Sequence, residues 1–130
     1  MKKIILLILT MLSVNVLAND LDENLSVQQN GAEYTIKYFN YKTSTDTYFS
    51  DAGLQGSGYT WAALVRAALS TESPDLSPQV DFSPEGGSFI AYTKDEAAAN
   101  QVQSIIEKLS ADINFRNKMV DIATKGGYIE

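Results

Sequence analysis

The chain has 130 residues, with no Cys, no His and a formal charge of −6 from 16 acidic against 10 basic side chains. Without His or Cys it lacks the groups for Ser–His and Cys–His nucleophile systems and for ordinary zinc sites. The acidic balance argues against nucleic acid and anionic membrane surfaces, whose phosphates demand a basic face.

Lys2 and Lys3 precede an apolar run from Ile4 to Leu12, and Val16-Leu17-Ala18 supplies small or compatible residues ahead of Asn19. This is the pattern of a secretory signal peptide over residues 1–18. The apolar run falls short of the ~20 residues that cross a bilayer, and without Cys there is no lipoprotein processing site. Residues 19–130 then form one domain, of a size that buries roughly 65% of its unfolded surface. Export without Cys means that packing alone holds it. Removing Lys2 and Lys3 takes the formal charge from −6 to −8. An acidic exported domain suits a basic protein partner, because charge speeds encounter, and equally suits plain solubility.

After a polar lead-in, Leu25 to Gln29 alternates apolar and polar, Asn30-Gly31 signals a hairpin, and Glu33 to Tyr41 returns. Tyr34, Ile36 and Tyr38 fall on one face of that return strand, and Thr35, Lys37 and Phe39 on the other. Thr43 to Thr47 reads as a turn cluster, and Tyr48-Phe49 as the start of a third short strand. Ser50 to Gly58 is loop. From Trp61 the spacing becomes helical, with Leu64, Val65, Ala68 and Leu69 on its stripe and Thr60 placed to cap it. Pro74 and Pro78 prevent continuation. Val80 to Phe82 and Ser88 to Tyr92 form a second hairpin around Ser83-Pro84-Glu85-Gly86-Gly87, where the two glycines supply unusual backbone angles. Thr93 to Glu96 reads as a capping box. The helix after it carries Ala98, Val102, Ile105, Ile106 and Leu109 on one face. A last helix presents Phe115, Met119 and Ile122 and ends at Gly126-Gly127. Two hairpins with two to three helices predict an α+β fold, a mostly antiparallel sheet with the helices on one face.

The inventory is poor in catalytic chemistry. There is no GxxxxGK[ST] loop, and Gly56-Ser57-Gly58 lacks the strand and fingerprint of a dinucleotide site. Asp81 and Glu85 flank a turn, and paired carboxylates can hydrolyse glycosides. The simpler reading is that Asp81 satisfies turn amides and Glu85 sits at a solvated tip. No cofactor and no metal is expected. Seven tyrosines in so small a chain suit a contact surface, since tyrosine offers a large area at low rotamer cost. Trp61, on the apolar stripe, is expected in the core.

The segment GSGYTWAALVRAAL, followed a dozen residues on by DFSPEGGSFIAY, resembles the immunity protein 51 family of bacterial polymorphic toxin systems. Gly56, Gly58, Tyr59 and Trp61 carry the first part of the resemblance; Asp81, Pro84, Glu85, Gly87 and Phe89 carry the second. The resemblance implies a non-enzymatic protein that binds and neutralises one cognate toxin. Combined with the export signal, it implies a periplasmic immunity protein against a toxin acting in the envelope, such as a peptidoglycan hydrolase, lipase or pore-former. Tyr59, Asp81 and Glu85, followed by Tyr41 and Tyr48, are the expected contacts. The motif residues Gly56, Gly58, Trp61, Pro84, Gly86, Gly87 and Phe89 are expected to be architectural. The alternatives are a periplasmic inhibitor of lysozyme-type hydrolases and a small carboxylate-dependent envelope hydrolase.

Overall fold

The computed structural model describes residues 24–39 and 46–129. The leader expected over residues 1–18 and the proposed contact Tyr41 lie outside the described residues. Strands β1 (Leu25–Asn30), β2 (Glu33–Phe39), β3 (Val80–Phe82) and β4 (Ser88–Thr93) form one antiparallel sheet in the order β1-β2-β4-β3. Four α-helices pack with it among the described residues: α1 (Asp46–Asp51), α2 (Gly58–Glu72), α3 (Glu96–Ala111) and α4 (Ile113–Lys125). The α+β expectation holds.

Register explains which face is covered. Tyr38 pairs with Leu25 and Phe89, and Ile36 with Val27 and Ala91. Strand side chains alternate between faces, so these residues line one side, where α2 and α3 lie across the sheet. Ile36, Tyr38, Phe89 and Ala91 are fully buried there. In α3, all five residues expected on the apolar face are buried. Helix α4 packs on α2 and α3, inserting Phe115, Met119 and Ala123.

Helix α2 is therefore covered from both sides, by β4 and by α4. Its residues from Thr60 to Val65 and from Ala67 to Leu69 are all buried, well beyond the stripe that periodicity marks. A helix that is apolar nearly all round is an interior helix. Trp61 is its largest side chain and is fully buried. It meets Tyr38 edge-on at 4.9 Å and Phe49 at 5.7 Å between ring centroids, the arrangement aromatic rings favour.

Four local expectations are corrected. Tyr48-Phe49 lies in helix α1 and starts no strand, because Phe49 is drawn inward against Trp61. The cap of α2 is Ser57, whose Oγ accepts from the amides of Tyr59 and Thr60. The Thr60 hydroxyl instead accepts from the Gly56 amide at 3.1 Å. The cap of α3 is Asp95, which accepts from the Ala98 amide at 3.0 Å. Thr93 cannot flank that helix because its backbone is paired in the sheet with Tyr34 and Val80; its hydroxyl accepts from the Asp95 amide. Finally, Asn30 pairs with Glu33, so Gly31-Ala32 is the two-residue turn of the first hairpin.

Candidate functional site

The two motif segments, well separated along the chain, meet at one spot. The Gly58 amide donates to the Gly86 carbonyl at 3.1 Å. A Cβ at Gly58 would lie 2.1 Å from the carbonyl oxygens of both Glu85 and Ser88, so only glycine permits this approach. Gly56 is required on two counts: its φ is +73°, and a Cβ there would press on Phe49 at 3.2 Å. The loop before α2 is thereby locked onto the tip of the β3–β4 hairpin. At that tip Glu85 and Ser88 exchange backbone hydrogen bonds at 2.8 and 3.2 Å, leaving Gly86-Gly87 as a two-residue turn. Neither of these glycines adopts a left-handed φ, and added Cβ atoms would meet nothing within 4 Å. The unusual angles expected of this pair occur instead at Gly56.

This junction positions the expected contacts. Tyr59 follows Gly58 directly and is 52% exposed, while its neighbours Thr60 and Trp61 are buried. It lines a depression of about 310 Å³ with Leu54, Gln55, Arg66, Pro84 and Tyr128. A second depression of about 350 Å³ adjoins it, lined by Asp81, Phe82 and Ser70, and shares Arg66 and Tyr128 with the first. The structure thus brings Tyr59 and Asp81 to adjoining depressions, while Glu85 is exposed on the hairpin next to the lining residue Pro84. Asp81 is exposed on β3 and makes no side-chain hydrogen bond among the described residues. It therefore does not satisfy turn amides as expected.

Arg66 and Tyr128 are groove residues that sequence reasoning missed. Before the last turn of α2, only Tyr59 and Arg66 escape burial, and Ser70 continues their line. At 3.6 residues per turn these three fall within roughly 40° of one another, so they form a single exposed strip. That spacing was legible, though only against a helix known to be buried elsewhere. The Arg66 guanidinium lies 4.7 Å from the Phe82 ring centroid, a cation–π contact. Tyr128 arrives by a glycine turn after α4: its amide donates to the Ala123 carbonyl at 2.9 Å, with Gly127 at φ +78°. Its hydroxyl then lies 3.3 Å from Ser70 Oγ.

Tyr48 does not line the groove. It is half-buried against α4, its hydroxyl donating to Asn117 Oδ1 and its ring 4.8 Å from the Arg116 guanidinium. Burial pushes its phenol above the ordinary value, partly offset by the Arg116 charge. Arg116 is only 2% exposed. It donates through Nε to the Leu109 carbonyl at 2.7 Å and through Nη2 to the Ser110 carbonyl at 2.8 Å. A cation on the last carbonyls of α3 is favoured by the helix dipole. Burial lowers the Arg116 pKa, and Tyr48, Asp112 and Tyr38 oppose that shift. This cluster ties α1 to the α3–α4 corner.

Among the described residues no group of His, Cys, Asp and Glu is placed to hold a metal ion, and no helix there is long and apolar enough to cross a membrane. The arrangement is a loop and helix start packed onto a hairpin tip, beside a groove. The family profile described as Immunity protein 51 matches residues 24–125. The chain belongs to the Immunity protein 51 family, and the resemblance carried by its two motif segments is borne out. Membership implies a cognate toxin as partner. No match was found among curated proteins or among solved structures.

Proposed function

We propose that this protein is exported, meets one cognate toxin in the cell envelope and neutralises it by seating Tyr59, at the start of α2, and the acidic hairpin rim over the toxin's active cleft. The family match over residues 24–125 carries this reading. Binding without turnover follows from what an immunity protein has to do. The envelope follows from the leader-like residues 1–18, since an inhibitor must share its toxin's compartment. Peptidoglycan hydrolases, lipases and pore-formers act there. Support for the docking surface comes from the half-exposed Tyr59, held in the first turn of α2 where the Gly58 amide is tied to the hairpin tip. Tight inhibitors commonly centre on such aromatic anchors with charged surroundings.

The test uses the toxin encoded beside this chain's gene, directed either to the periplasm or to the cytosol of cells making the chain with or without residues 1–18. Protection from the periplasmic toxin by the leader-bearing chain alone is the expected result. Protection by the leaderless chain against cytosolic toxin only would overturn the compartment. Absence of a complex between purified chain and toxin would overturn binding altogether.

A further inference from the structure

The two depressions on either side of Arg66 form one groove between α2 and the sheet margin, and its chemistry differs from that of the surface as a whole. The chain is acidic, with a formal charge of −6, yet the charged side chain common to both depressions is a guanidinium. Arg66 makes no ion pair among the described residues; the pair found there, Lys125 with Asp121, is on α4. Asp81 lines the same depression as Arg66 without pairing to it. The guanidinium lies over the Phe82 ring, 4.7 Å from its centroid.

The groove's length is set by α2. Tyr59 to Ser70 spans about 16 Å of helix axis at 1.5 Å per residue. An extended chain at about 3.3 Å per residue covers that distance in about five residues. Strand β3 borders the groove through Asp81 and Phe82 and is the margin of the sheet, paired with β4 alone. A sheet margin offers backbone groups to an incoming extended segment. Tyr59, Pro84 and Tyr128 provide ring surfaces to either side of Arg66.

We propose that this groove receives an extended toxin segment of about five residues whose single carboxylate pairs with Arg66 between apolar side chains. The proposal rests on the toxin-binding reading above and adds the surface and the chemistry of its occupant. One isolated guanidinium among rings suits a lone carboxylate. A polyanion such as nucleic acid calls instead for a basic stripe. Asp81 in the groove then favours a basic residue next to the occupant's acid, in keeping with a partner that is basic overall.

The experiment measures affinity for the toxin encoded beside this chain's gene, made as a catalytically inactive variant. Arg66→Glu is expected to weaken binding roughly 100-fold and Arg66→Gln about tenfold. Lys37→Glu, an equal charge reversal on the uncovered face of β2, is expected to stay within about threefold. Thermal melts of both Arg66 variants separate lost contact from lost fold. Replacing the toxin's surface acids one at a time by Lys is expected to yield one variant that restores binding to the Arg66→Glu chain. If Arg66→Glu binds like Lys37→Glu, or if no acid-to-Lys change restores it, this groove reading alone is overturned. A wild-type chain that fails to bind the toxin overturns both readings.

Discussion

Gly58 sits on the tip of the β3–β4 hairpin with its amide 3.1 Å from the Gly86 carbonyl, where a Cβ would fall 2.1 Å from two backbone oxygens. Two stretches that look like separate loops in the sequence are one structural joint. The joint fixes where α2 starts, hence where Trp61 points inward and Tyr59 outward.

Gly58→Ala is expected to destabilise the domain by about 3 kcal/mol or more, at the upper end of overpacking costs. The obstructing atoms are backbone carbonyls at 2.1 Å that cannot swing aside. Gly87→Ala, just beyond Glu85 on the same hairpin tip and in open space, is expected to change stability by less than about 0.5 kcal/mol. Urea midpoints of the two variants decide it; similar losses would mean the joint is not a tight one.

Trp61→Ala is expected to cost about 3–5 kcal/mol, as large-to-small core changes do. The indole lies between Tyr38 and Phe49, so its loss empties the place where sheet, α1 and α2 meet. An unchanged thermal midpoint would refute its interior position.

Tyr48 makes stability depend on alkaline pH. Burial raises its phenol above 10.0, the Arg116 charge opposing that shift. The folded state therefore holds the proton more tightly than the unfolded chain. Its contribution is full below the ordinary phenol value and is lost as pH rises through the raised folded one. From about pH 9 to about pH 11, the wild type is expected to lose more stability than Tyr48→Phe, which has no proton to give up. The opposite ordering in urea midpoints would show that attraction to Arg116 outweighs burial.

On the toxin-binding reading, Tyr59→Ala should leave the melting temperature nearly unchanged, because the ring is 52% exposed, while weakening the complex at least about tenfold. Glu85→Lys should slow association with a basic toxin and flatten its dependence on salt. Stopped-flow rates across an ionic-strength series test the second; rates of the variant and the wild type that respond alike to salt would remove the electrostatic rim.

Of the deeply buried α2 only the stripe through Trp61 and Leu64 showed in the sequence. The strands and α3 were legible because each buries one face, and burial of one face leaves a period in the sequence. Tyr34, Ile36 and Tyr38 show it with period two, and Val102, Ile105, Ile106 and Leu109 with the helical one. The caps were misplaced because local rules at Thr60 and Thr93 were overridden by remote partners: the hairpin under Gly58 and the strand pairing of Thr93. Tyr59 and Asp81 could be picked as surface residues from the motif, but their shared groove could not. It is assembled from Leu54, Arg66, Phe82 and Tyr128, which no local spacing connects. Arg116 escaped notice for a related reason: its partners are main-chain carbonyls of the preceding helix, and these leave no signature in side-chain pattern.

The glycine turn that swings Tyr128 against Ser70 has a practical corollary for anyone handling the protein. Ile129 follows Tyr128 along the groove's wall, so a purification handle or reporter joined past that point hangs over the opening. If the groove receives the toxin as proposed, such fusions should fold normally and yet shield the cell poorly, and a handle inserted at the Gly31-Ala32 bend, on the opposite side of the sheet from β3, should behave like the untagged chain.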